Sequence, residues 1–145
     1  MMRGAFIFLG FVTLAVVAGC GSGYTPPAGV IVTGKVVQGG QPVSTAPTED
    51  GYNGAHVNFF TTDGKGGDAT VPCDANGNFR IEYAGEGLPP AHYKVSIAVR
   101  NGGPETDMLE NKIGRDTTDI EFDIPKEKLG GEFDVGTIEI NDHLK

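Results

Sequence analysis

Apolar and polar residues alternate with a period of two in seven short runs between Val30 and Ile140, separated by clusters of Gly, Pro, Asn and Asp. Successive side chains of a strand point to opposite faces, so this alternation predicts strands with one buried and one wet face. Val30–Val37 offers Val32, Gly34 and Val36 to an interior, Ala55–Thr61 offers Ala55, Val57 and Phe59, and Asp68–Cys73 is a short run around Val71. Asn78–Tyr83 sets Phe79, Ile81 and Tyr83 against Asn78, Arg80 and Glu82, while His92–Arg100 sets Tyr93, Val95, Ile97 and Val99 inward. Thr118–Ile124 contributes Ile120, Phe122 and Ile124, and Gly136–Ile140 closes with Ile138 and Ile140. The chain is therefore expected to be an all-β sandwich or barrel. Asn76-Gly77, within Asp74-Ala75-Asn76-Gly77, predicts a type I′ hairpin turn, and Gln38-Gly39-Gly40-Gln41-Pro42 predicts another turn. Gly102–Asp116 has no alternation. Pro104–Leu109 could open one or two helical turns ending at Gly114, and Ser44–Gly54 reads as an exposed polar insertion.

The first 19 residues follow a different pattern. Arg3 precedes 14 uncharged, mostly large apolar residues from Ala5 to Ala18, and Val17-Ala18-Gly19-Cys20 ends the run. A spanning helix needs about 20 apolar residues, and extending this run recruits Gly19, Gly21, Ser22 and Gly23. The segment resembles a bacterial lipoprotein signal peptide closed by a lipobox. That resemblance implies a diacylglyceryl group on the Cys20 thiol, cleavage before Cys20, and acylation of the new amine by a fatty chain such as palmitate. Two or more chains anchor a protein stably where one does not. The expected organisation is a signal peptide over 1–19, a Gly- and Pro-rich tether over 20–29, and one domain over 30–145. Gly21 is not the aspartate associated with inner-membrane retention, so the periplasmic face of the outer membrane is the expected location.

Loss of residues 1–19 leaves 126 residues, the size of one domain. Ten basic residues then face 19 acids, a net charge of −9. Such a surface repels phosphate backbones, which argues against a nucleic-acid partner. With Cys20 lipidated, Cys73 has no partner for an intramolecular disulfide and is expected to pack as a small buried hydrophobe.

Four motifs occur in order: Gly34-Lys35-Val36-Val37, Gly40-Gln41-Pro42-Val43, Asp74-Ala75-Asn76-Gly77-Asn78-Phe79, and Leu88-Pro89-Pro90-Ala91-His92-Tyr93-Lys94-Val95. Together they resemble the carboxypeptidase regulatory-like, transthyretin-like domain of small bacterial lipoproteins, over about residues 30 to 100. The resemblance implies a Greek-key β-sandwich of about seven strands without catalytic residues, serving as a folding, docking or binding accessory. Two departures stand out. Ala91 replaces the usual glycine before the Tyr-x-Val strand, and Ser44–Gly54 enlarges a loop that is commonly short.

No motif for chemistry emerges from the remaining residues. Asp74, Asn76 and Asn78 alternate as calcium ligands do, but Phe79 stands where an EF-hand loop needs its sixth-position glycine, and Gly85 where it needs the twelfth-position glutamate. His56, His92 and His143 lack paired metal-ligand spacing, and alternation turns His56 and His92 to solvent. Ser22, Ser44 and Ser96 lie in no nucleophile elbow, Glu49-Asp50 is an adjacent loop pair, and Gly64-Lys65-Gly66-Gly67 lacks phosphate-loop spacing. Glycan binding by stacking would need exposed rings. The chain has no Trp, Tyr83 and Tyr93 alternate inward, and only Tyr24 and Tyr52 lie in exposed segments. The expected protein is a lipid-anchored, non-enzymatic component of the cell envelope without cofactor or metal. Its Ser44–Gly54 and Gly102–Asp116 loops would contact other envelope proteins and be dispensable for folding. Binding of a carbohydrate or small ligand is the alternative.

Overall fold

The computed structural model describes residues 28–43, 53–64, 66–82, 87–103 and 105–145. The signal segment, Cys20, most of the tether and residues 44–52 lie outside them. Among the described residues eight strands form: β1 (Ile31–Gln38), β2 (Gln41–Pro42), β3 (Gly54–Phe60), β4 (Ala69–Pro72), β5 (Asn78–Ile81), β6 (His92–Arg100), β7 (Glu121–Asp123) and β8 (Glu132–Glu139). They build two sheets of four. In the first, β1 pairs in parallel with β8 along one edge and antiparallel with β5 and β2 along the other. In the second, the antiparallel order is β4-β3-β6-β7. Among the described residues no helix is long and apolar enough to cross a membrane.

The sheets meet through the residues that alternation turned inward. Val32, Val36, Phe79 and Ile81 come from the first, and Ala55, Val57, Phe59, Tyr93, Val95, Ile97 and Val99 from the second; all are buried. Full burial of such a side chain stabilises by about 1.5–3 kcal/mol, so the sandwich rests on this layer. Phe59 is its hub, with ring centroids 6.0 Å from Phe79, 6.2 Å from Tyr93 and 6.1 Å from Phe122.

Four local expectations are corrected. Asp74–Gly77 is not a type I′ hairpin, because β4 and β5 belong to different sheets and the turn crosses between them. Only Gly77 has positive φ (81°), and its N–H donates to Asp74 O at 2.9 Å. Gly39 and Gly40, with φ of 60° and 74°, are the positive-φ pair that joins β1 to the short β2, a strand the alternation was too brief to reveal. The last strand begins at Glu132 rather than Gly136, because Gly136 (φ 77°) forms a bulge that interrupts the alternation and shifts the register opposite Thr33 to Lys35. The run over Thr118–Ile124 shortens to Glu121–Asp123, since Thr118 Oγ1 donates to Val95 O and accepts from Ile120 N.

Gly102–Asp116 also departs from expectation. No helix forms among residues 105–117, where Glu110 and Asn111 adopt φ of 52° and 60°, which stops helical propagation. Nor is this an exposed appendage. Beyond β7, the segment takes over the open edge of β6: Met108 N donates to Val99 O at 2.7 Å and Ile97 N to Ile113 O at 2.9 Å. Leu109 and Ile113 are buried with the core. Its removal would strip a strand edge and two core side chains, so it is structural and not dispensable.

The topology also orders the two ends of the sandwich. Val30 bridges to Leu88, and Gly130 N donates to Gly29 O at 2.9 Å, so the chain joins β1 at the pole formed by residues 87–91 and 124–131. The turns at 39–40, 74–77 and 101–103 lie at the opposite pole, as do residues 53–54, because Gly54 pairs with Arg100.

Candidate functional site

The outward faces of β3, β4 and β6 carry small and polar residues where the inward faces carry the core. Pairing places Asn58 between Thr70 on β4 and Ser96 on β6, with His56 opposite Ala98 in the next outward row. The 105–117 segment overhangs these rows. Between it and the sheet lies a hollow of about 200 Å³, lined by Asn58, His56, Ser96, Arg100, Asp107 and Arg115 among others.

Each wall of the hollow is held locally. Asp107 is the staple of the overhang: Oδ1 accepts from Val99 N at 2.9 Å and from Leu109 N at 3.0 Å, and Oδ2 from Asn111 N at 2.9 Å. Arg115 reaches Asp68 at 2.6 Å and lies 4.2 Å over the Phe60 ring, a cation–π contact. His56 Nδ1 is 3.1 Å from Gly54 O. Among the described residues, Asn58 Oδ1 is buried without a hydrogen-bond partner. A buried acceptor left this way costs about 1–3 kcal/mol, which makes it a place where an incoming donor gains most.

A larger groove of about 730 Å³ runs over the first sheet between Thr33, Lys35, Arg80, Asp134 and Thr137. It is shallower, and its one guanidinium is engaged: Arg80 binds Glu82 at 3.1 Å and Glu132 at 2.7 Å, contacts that raise its pKa.

The residues singled out by sequence are scattered. Cys20, Ser22, Tyr24, Ser44, Glu49, Asp50, Tyr52, Lys65 and Tyr83 lie outside the described residues. Cys73 is half-buried and free, and burial, with the adjacent Asp74 carboxylate second, pushes its thiol up to about 12. Little thiolate exists at neutral pH under that condition. His92 bonds Asp123 at 2.8 Å, and this contact raises its pKa. His143 bonds Asp119 at 2.7 Å; Lys145 and His143 together hold that carboxyl down to about 2. The three histidines thus occupy separate places, and among the described residues no group of three His, Cys, Asp or Glu is arranged to hold a metal. Asp74 spends its carboxylate on the turn, accepting from Asn76 N and Asn78 N, both at 2.8 Å. These bonds, those from Asn78 foremost, lower its pKa. Tyr93 is buried as expected, its hydroxyl donating to Pro89 O at 2.9 Å and accepting from Gly67 N at 3.2 Å.

Sequence reasoning named His56 and Ser96 but missed Asn58, Arg100, Asp107 and Arg115. Alternation already turned Asn58 and Arg100 outward. What it lacked was the overhang, since nothing in Gly102–Asp116 announces that its backbone will dock on β6.

No protein-family model and no curated protein matches the chain. Among solved structures it is similar to that of a DUF3823 family protein from Parabacteroides merdae, at 12% identity and a TM-score of 0.41, over 79% of this chain and 47% of that one. The chain thus spans about half the length of that protein.

Proposed function

We propose that the protein is a lipid-anchored component of the bacterial cell envelope, held at Cys20 to the periplasmic face of the outer membrane. Its sandwich is of the carboxypeptidase regulatory-like, transthyretin-like kind and serves docking rather than catalysis. The feature that supports the anchor is Val17-Ala18-Gly19-Cys20, and the Gly29 to Gly130 hydrogen bond brings residue 29 into the sandwich at one pole. Ten residues from Cys20 to Gly29 span at most about 35 Å, which keeps that pole near the bilayer. It presents Leu129, 49% exposed, beside Lys126 and Lys128, a combination suited to a headgroup layer. Turns 39–40, 74–77 and 101–103 then point into the envelope, where a protein partner would meet them.

Because the chain has no Trp, single indoles report orientation cleanly. In vesicles containing lipids brominated on their acyl chains, the full-length, lipidated L129W variant should be quenched and the M108W variant should not. Equal quenching of both in floating vesicles would refute the orientation. Failure of the protein to float with vesicles would refute the anchor.

A further inference from the structure

The hollow beneath the 105–117 overhang has a composition that docking at the far pole does not explain. The chain has four arginines and a net charge of −8, yet two of the four, Arg100 and Arg115, line this one space. A guanidinium offers five N–H donors in a planar fork suited to a carboxylate, and the Asp68 contact engages a single Arg115 nitrogen. Asp107, the one acid in the lining, has its oxygens committed to three backbone N–H groups. The floor supplies the complementary half, an acceptor: Asn58 Oδ1, buried and without a partner among the described residues, between Thr70 and Ser96. At about 200 Å³ the space is smaller than the roughly 300–1,000 Å³ of sites for drug-sized ligands.

We infer that this hollow binds a small carboxylate carrying an adjacent hydrogen-bond donor, a hydroxy acid or an amino acid. The carboxylate would meet the arginine side and the donor would reach Asn58. A simple carboxylate satisfies one half, and a neutral polyol neither charge nor fork. Binding of this kind is independent of how the chain is anchored.

The test is titration of the ¹⁵N-labelled full-length protein in detergent micelles with glycolate, glycine, acetate and glycerol in turn, following the Asn58 side-chain amide and the Ile97 and Asn111 backbone amides. Glycolate or glycine should saturate with a Kd of about 1 mM or tighter. Acetate should bind about tenfold more weakly, because the buried acceptor then stays unpaired. Glycerol should leave the signals in place. In N58L the preference of glycolate over acetate should vanish, and in R115K, which keeps the charge but loses the fork, glycolate affinity should fall about tenfold. Spectra of both variants that otherwise overlay the parent would show that the fold persists; if N58L unfolds, N58D serves, since its carboxylate keeps the acceptor and adds a negative charge, so the ammonium donor of glycine should be preferred over acetate by more than in the parent. The absence of saturable shifts with either glycolate or glycine would overturn the inference, leaving water as the partner of Asn58. So would equal affinity for glycolate and acetate in the parent.

Discussion

Substitution of Asp107 separates a structural overhang from a dispensable loop. Asp107→Ala removes the acceptor of three N–H groups, two of which, on Val99 and Leu109, belong to buried residues where water is a poor substitute. The third, on exposed Asn111, can turn to solvent. An unsatisfied buried donor costs about 1–3 kcal/mol, so the two together give a loss of about 3 kcal/mol. For a domain of this size that lowers Tm by about 10 °C. Asp107→Asn keeps one oxygen for Val99 and Leu109 and loses only the solvent-exposed bond, so its loss should be about 1 kcal/mol. Urea unfolding with unchanged m-values would measure both. Hydrogen exchange would localise the effect: Val99 and Leu109 amides should lose protection in the Ala variant, while Val57 on the inner strand keeps it. An Ala variant within about 0.5 kcal/mol of the parent, the range of ordinary surface changes, would refute the assignment of this segment as part of the sheet.

Three further outcomes follow from named contacts. Tyr93→Phe keeps the ring against Phe59 but leaves Pro89 O and Gly67 N without their partner, so urea unfolding should show a loss of about 1–2 kcal/mol and no change of fold by circular dichroism. Gly77→Ala would set a Cβ 2.3 Å from Val36 O at positive φ and should cost more than about 2 kcal/mol, whereas Gly40→Ala, with open space around it, should cost about 1–2 kcal/mol from φ alone; equal losses in thermal melts would contradict the close approach to β1. His92, its pKa raised first by the Asp123 hydrogen bond, should titrate above 6.5 by NMR and return toward 6.5 in Asp123→Asn. The stabilisation from that contact is fully present below pH 6.5 and is lost as pH rises through the folded pKa.

Period-two alternation made the core legible because half-buried strands expose one side chain in two. Val32, Val57, Phe59, Phe79, Val95 and Ile97 are all where it put them. It failed where backbone rather than side chains decides. The parallel pairing of β8 with β1 joins segments about 100 residues apart, and no local signal encodes a partner at that distance. Asn76-Gly77 carries the composition of a hairpin turn, yet the strands it joins belong to different sheets, and only their pairing partners fix that. The candidate site was half legible. Alternation turned His56, Asn58, Ser96 and Arg100 to one outward face, but the hollow depends on Asp107 capturing backbone amides, a role that any loop aspartate could play on paper.

The central claim, a sandwich held to a bilayer by fatty chains on Cys20, is tested most directly by intact-mass measurement of the full-length gene product purified from membranes. The predicted result is a chain that begins at Cys20 and carries a diacylglyceryl group, with or without a further acyl chain on its amine. A mass corresponding to unmodified protein, whether cleaved or retaining residues 1–19, would contradict the account.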